Sequence, residues 1–354
     1  MDEATQMPDH RLADALKAHV DLDALRGWMD AQGLGIGPFT AVSPLTGGTQ
    51  NILIRLSRSG RDYILRRPPP APRAESHEVM RREARVLGAL RTSRVPHPGL
   101  IASEPDERKL GYAFILMEPI NGFNPSEGLP RFHARDPDIR TRMGLSYIDA
   151  LADLAEFDAN LPGFGSPDGF LDRQVERWRA QLDRYARVKA WPGLSCGVDA
   201  VADWLTRNQP QDYRPGLIHG DCHLGNAMFH HDSGELAALI DWELATMGDP
   251  RLDLGWVMAT WPDAKGRDTV GMGITPWDGF PDIETLIARY GARTTRPLDS
   301  AAWFGVLACY KLGILLEGTY ARSLAGRAPK AVGERLHAAT LALFERAARM
   351  IAFS

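Results

Sequence analysis

A chain of 354 residues is long enough for two lobes, each with a core of its own. Its 44% apolar and 24% charged residues are ordinary for a globular protein, and a net charge of -4 leaves no whole-chain footprint for nucleic acid or a membrane surface. No apolar run approaches the roughly 18 residues of a membrane span. The acidic start Met1-Asp2-Glu3-Ala4 lacks the layout of a signal peptide, and the scattered Cys196, Cys222 and Cys309 form no pair or metal motif. A reduced, cytoplasmic setting is therefore expected.

Along the chain, Leu12, Leu16, Val20, Leu25 and Trp28-Met29 recur at threes and fours, which predicts a helix over 10–33 closed by Gly33 and Gly35. From Phe39 the pattern is strand (42–45), glycine loop Thr46-Gly47-Gly48-Thr49-Gln50-Asn51, strand (52–56), a Ser59-Gly60 turn, and strand (63–66). A glycine loop lets backbone N–H groups approach phosphate; alone, Gly-Gly is more often a plain hairpin turn, and the catalytic loop farther along the chain is what favours the phosphate reading. A helix follows over 76–90, with Glu83 on it, and strands at 100–103 and 112–117 lead into Glu118-Pro119-Ile120-Asn121-Gly122, the Pro and Gly of a hinge. Residues 123–140 read as a polar loop of unassigned role. Helices are predicted over 143–158, 172–187 and 198–208, the second of them arginine-rich and best read as a solvated face.

The most informative stretch is His219-Gly220-Asp221-Cys222-His223-Leu224-Gly225-Asn226, then a hairpin, then Ile240-Asp241-Trp242-Glu243. A short strand at 227–230, a turn over 231–234 and a strand at 236–240 would bring Asn226 and Asp241 to one end of a small sheet. Phosphoryl transfer needs a carboxylate to orient a hydroxyl and accept its proton, and hard oxygen ligands for Mg²⁺ on the nucleotide phosphates. Asp221 fits the first role, Asn226 and Asp241 the second. A lone H-x-D would be a polar loop capping turns; the ordered set is far more specific. The histidines 219, 223, 230 and 231 lack the spacing of a zinc site, and Cys222 has no base-orienter set beside it. The last third reads as helical, with a loop over 263–281 and helices over 303–320 and 334–353.

These motifs, together with Gly248-Asp249-Pro250-Arg251-Leu252-Asp253-Leu254, resemble the aminoglycoside phosphotransferase family, from about Phe39 to the C-terminus. Within it, the chain looks most similar to the kinase-like domain found fused to, or encoded beside, acyl-CoA dehydrogenases. The resemblance implies an α+β, bilobal protein-kinase-like fold: a small β-rich nucleotide-binding lobe with the N-terminal helix (1–117) and a larger, mainly helical catalytic lobe (118–354). It also implies that Gly47, Gly48, Thr49 and Asn51 cover the phosphates of ATP and that Arg66, paired with Glu83, steadies them. Arginine there departs from the usual lysine but keeps the charge and adds a fork. Adenine would bond to backbone near Glu118 and Ile120, His219 would orient the loop, and Asp253 would brace it from below. Trp242 stands where kinases carry the Phe of D-F-G, and Glu243 either approaches the metal or substrate or pairs with a nearby base.

The acceptor is expected to be a small hydroxyl-bearing molecule. From 289 to 354 there are four acids and ten bases, an imbalance that suits an anion better than a polycationic aminoglycoside. With the resemblance, this points to a hydroxyacyl-CoA or hydroxy acid. The alternatives are an antibiotic kinase and a nucleotide-binding pseudokinase without catalysis.

Overall fold

The structure, a computed structural model, describes residues 20–45, 51–159, 161–166 and 168–354. The start of the predicted N-terminal helix and the loop carrying Gly47, Gly48 and Thr49 lie outside the described residues. The chain divides into two compact units, one running to Thr92 and then over His97–Ile120, the other formed by Ser93–Pro96 and Asn121–Ser354.

In the first unit, helix α1 (Leu22–Ala31) starts where Asp21 Oδ1 accepts the N–H groups of Asp23 and Ala24, at 3.1 and 2.9 Å. It buries Leu25, Trp28 and Met29 in a core shared with Ile54, Leu56, Leu65, Phe114 and Leu116. Strands β1 (Ala41–Leu45), β2 (Ile52–Arg58), β3 (Arg61–Arg67), β4 (Leu100–Glu104) and β5 (Phe114–Met117) form one antiparallel sheet in the order β1-β2-β3-β5-β4. The Trp28 indole lies edge-on to Phe114 at 4.8 Å and donates to Glu104 Oε2 at 2.7 Å, tying helix to sheet. Helix α2 (Ser76–Leu90) presents Met80, Ala84, Leu87 and Glu83 inward.

The second unit is mainly helical. Residues 123–140, read from sequence as one polar loop, hold a single 3₁₀ turn (Pro125–Glu127), helix α3 (Arg131–Arg135) and the start of α4 (Pro137–Glu156). Pro137 at the first turn of α4 explains the misreading: there a proline begins a helix instead of breaking it. Then come α5 (Asp172–Tyr185) and α6 (Val198–Arg207). Two short strand pairs follow, β6 (Gly216–Ile218) with β9 (Thr246–Gly248) and β7 (Ala227–Phe229) with β8 (Leu236–Leu239). Helices α7 (Arg251–Thr260), α8 (Ile283–Gly291), α9 (Ala301–Leu324) and α10 (Lys330–Ala352) complete the unit.

All ten residues of α7 are buried, and it crosses α9 so closely that a Cβ on Gly255 would stand 2.3 Å from the Phe304 carbonyl oxygen. By length and composition α9 could cross a membrane, although charged residues interrupt its apolar run; its mean hydropathy reaches 1.3, and 78% of that apolar stretch is buried inside the protein. That is the environment of a core helix.

Candidate active site

The loop after β6 is held from below by one carboxylate. Asp253, 2% exposed near the start of α7, accepts the backbone N–H of His219 on Oδ2 at 2.8 Å and that of Gly220 on Oδ1 at 2.9 Å. Burial pushes its pKa up, against the opposing pull of His219 and these two donors. The His219 ring is buried; Nε2 donates to the Ile240 carbonyl at 2.9 Å, and Nδ1 accepts the Asp221 N–H at 3.3 Å. The imidazole thus links the loop to the chain entering Asp241. Gly220 sits at φ 85°, and a Cβ there would lie 2.8 Å from the Leu244 carbonyl oxygen, so glycine is required between His219 and Asp221.

Asp221 emerges from this brace with its side chain 26% exposed. The Asn226 amide donates to both its backbone oxygen and its Oδ2, each at 3.0 Å, and His223 Nε2 stands 3.6 Å from Oδ2. Burial would raise the Asp221 pKa, but His223, then His219 and Lys311, outweigh it and hold the carboxyl below its ordinary value. With its Nδ2 engaged on Asp221, Asn226 keeps Oδ1 for a hard cation.

The hairpin brings the two candidate metal ligands together. Ala227 pairs with Leu239, and the Ile240 N–H donates to the Asn226 carbonyl at 2.9 Å, so Asn226 and Asp241 flank the same end of the β7–β8 ladder. Asp241 adopts φ 66° and ψ 62°, left-handed and costly for a non-glycine residue. Next to it, the buried Trp242 ring lies 4.6 Å from the His219 ring and donates Nε1–H to Leu239 at 2.9 Å. An amide oxygen and a carboxylate are the donor set Mg²⁺ takes when phosphates and water complete its shell. Among the described residues, no group of three His, Cys, Asp or Glu could hold a metal by itself.

One residue escaped the sequence reading. Lys311 on α9 was counted only as one base among ten, yet its Nζ donates to the Gly220 carbonyl at 3.2 Å and lies over the Trp256 ring at 4.9 Å. The charge count itself has a different meaning in the fold. Arg289 and Arg293 pair with Asp149 and Asp153 at 2.8 and 3.1 Å. Arg296 bonds the Ala155 carbonyl and Arg346 those of Ala259 and Trp261. Four of the ten bases behind the expectation of an anionic acceptor are thus occupied in holding the fold together.

In the first unit, Arg66 Nε stands 3.1 Å from Glu83 Oε2, both side chains buried. Arg67 instead lays its guanidinium 3.7 Å from the centre of the Tyr112 ring, so Arg66 is the one on Glu83. Glu118 turns its side chain to Arg61 at 3.1 Å, and its N–H is taken by the Gly99 carbonyl at 2.8 Å. Of its backbone groups, the carbonyl oxygen is the one left for a base. Ile120 ends this unit half-buried, and Asn51 stands half-buried just before β2.

A five-stranded antiparallel sheet with a buried arginine–glutamate pair, and a helical unit whose H-G-D-x-x-x-x-N loop rests on an aspartate, define a protein-kinase-like phosphotransferase fold. Residues 41–299 match the model of the phosphotransferase enzyme family (APH), and the chain belongs to that family. It is 31% identical over 301 residues to acyl-CoA dehydrogenase family member 11 of Gallus gallus and 27% identical over 301 to member 10 of Mus musculus, in each case over 81% of this chain. It spans only 37% and 27% of the lengths of those relatives. Among solved structures, a candidate aminoglycoside phosphotransferase of Ralstonia eutropha superimposes with a TM-score of 0.77 at 28% identity, over 94% of this chain and 99% of the other. The enzyme APH(4)-Ia, in a complex with ADP and hygromycin B, shares the fold with a TM-score of 0.57 at 15% identity, over 92% of this chain and 99% of the other.

Proposed function

We propose that the chain is an ATP-dependent kinase that transfers the γ-phosphoryl group to the hydroxyl of a small acyl metabolite, a hydroxyacyl-CoA or hydroxy acid. The observation carrying this reading is the Asn226 amide on the Asp221 carboxylate, in a loop braced by Asp253 and joined by backbone to the residue before Asp241. Asp221 orients the acceptor hydroxyl and takes its proton as the oxygen bonds to the γ-phosphorus; the bond to the β–γ bridging oxygen breaks and ADP leaves. A depressed pKa suits this carboxylate to orienting more than to forceful deprotonation, as a loose phosphoryl transition state allows. Asn226 and Asp241 would hold Mg²⁺, which supplies charge neutralisation on the phosphates. Arg66, braced by Glu83, and the loop through Gly47 and Gly48 would steady those phosphates. The acyl character of the acceptor is supported by the relatives' names, which are those of acyl-CoA dehydrogenases.

The test is transfer of labelled γ-phosphate from Mg-ATP onto hydroxyacyl-CoAs, hydroxy acids, aminoglycosides and macrolides, with Asp221→Asn as control. Label on an acyl acceptor that disappears in the variant is the expected result. Label on an aminoglycoside keeps the mechanism and overturns the acceptor, and nucleotide binding without any transfer favours a pseudokinase.

For the first unit, Arg66→Lys is expected to keep activity within about tenfold, because the charge on Glu83 survives while only the fork is lost. Arg66→Met strands a buried carboxylate; it should raise the KM for ATP by tenfold or more and lower stability by about 3 kcal/mol. Steady-state kinetics and thermal melts of both variants check this.

A further inference from the structure

We propose that Lys311 forms a subsite for the acceptor: its ammonium receives an acyl oxygen, either the carboxylate of a hydroxy acid or the thioester carbonyl of a hydroxyacyl thioester, a few bonds from the reacting hydroxyl. This deepens the kinase reading and rests on it for the identity of that hydroxyl.

The position of the ammonium is the first reason. Nζ donates to the Gly220 carbonyl at 3.2 Å, the carbonyl bonded directly to the Asp221 nitrogen. An oxygen bound to the same ammonium therefore lies close to whatever Asp221 orients. The distant phosphates of a long acceptor such as CoA are many bonds too far away; an acyl oxygen next to the hydroxyl is at the right range.

The surroundings of the ammonium are the second reason. Two indoles flank it, Trp256 at 4.9 Å and Trp178 at 5.7 Å. Aromatic faces favour a cation but are poor acceptors for its remaining N–H groups. Among the described residues Lys311 makes no ion pair, and it is half-buried, not sealed. Desolvation brings its pKa down to about 8, although Asp221 and Asp253 favour the charged form, so an oxygen ligand would relieve a cost already present.

Its neighbourhood also selects by charge. Arg177 stands near enough to repel Lys311, with its guanidinium 5.4 Å from the centre of the Trp178 ring. Lys311 next to the candidate base, with the exposed Arg177 on a second helix adding to its positive field, attracts an oxygen-rich acceptor and repels a polyamine. The lysine therefore discriminates acceptors at the place where the base works.

The experiment is calorimetric binding to the full chain loaded with Mg²⁺ and a non-hydrolysable ATP analogue. The probes are hydroxybutyrate, hydroxybutyryl-CoA, secondary butanol and free CoA, each against wild type, Lys311→Met and Lys311→Arg. The expected result is that the acid, the thioester or both bind while the alcohol and CoA bind far more weakly. Lys311→Met should weaken acyl binding by on the order of tenfold to a hundredfold, with part recovered by Lys311→Arg. Binding of the acid alone identifies a carboxylate ligand, and binding of the thioester alone a carbonyl. The proposal is overturned if wild type binds neither, if Lys311→Met binds them like wild type, or if the variant loses nucleotide analogue and acyl probe alike. The last pattern is what a purely structural brace on Gly220 produces. Labelled phosphate transfer, followed in parallel, is scored separately: binding without transfer sustains the subsite and defeats the kinase reading.

Discussion

Asp221→Asn is expected to lower turnover by about three orders of magnitude while changing the KM for ATP by less than about threefold. The asymmetry follows from where Asp221 acts. Its carboxylate is exposed enough to meet an acceptor hydroxyl, and taking the proton matters only as the oxygen becomes a nucleophile. The substitution spares the surrounding structure: the new side-chain amide can still present an oxygen to Asn226 Nδ2, which donates to Asp221 Oδ2 now. What the amide lacks is the charge and the ability to accept a proton. In wild type, activity should persist to low pH and fall only as Asp221 is protonated, below the ordinary carboxylate range because its pKa is depressed. A stopped assay of phosphate transfer with a parallel nucleotide titration separates the two quantities. Equal loss of turnover and nucleotide affinity would sink the assignment of Asp221 as base.

Asp253→Ala should cost the fold about 3 kcal/mol and lower the melting temperature by roughly 6–12 °C, with turnover falling at least tenfold in protein that remains folded. Two buried N–H groups, of His219 and Gly220, lose their acceptors at once, and no water-facing route satisfies them at a residue only 2% exposed. The loss is moderated because burial already makes the carboxylate costly, as its raised pKa records. Linkage then fixes a sign: with the folded pKa above the ordinary value of 3.8, the wild-type advantage is largest in acid and shrinks as pH rises through that raised pKa. Melts of wild type and variant across that range are the check. A variant as stable as wild type would show that Asp253 does not support the loop.

The loop chemistry was open to reading from sequence because it is local. His219, Asp221 and Asn226 lie within eight residues, and the hairpin that returns to Asp241 is short enough for its turn and strands to be recognised. Strand β9 was not, since three residues give no alternation to detect; it exists through pairing with β6 across about thirty positions. Lys311 was hidden for a related reason. It contacts Gly220 from 91 residues away, and on α9 it is one charge in an apolar pattern that reads as a buried helix without saying what the charge faces. The charge count has the opposite weakness, because the partners that occupy Arg289 and Arg293 are 140 residues upstream on α4. Counting assigns charge to a region, while only the fold assigns it a partner.

The near-contact between Gly255 and Phe304 makes α7 and α9 behave as one machined part. Asp253 sits two residues from that contact on one helix, and Lys311 seven residues from it on the other, and both reach the same two-residue segment, His219-Gly220. The clearance between the helices is therefore a dimension of the loop above them. A side chain at position 255, whose nearest neighbours are Phe304 and Gly305, would act as a shim that moves two supports of the loop apart together.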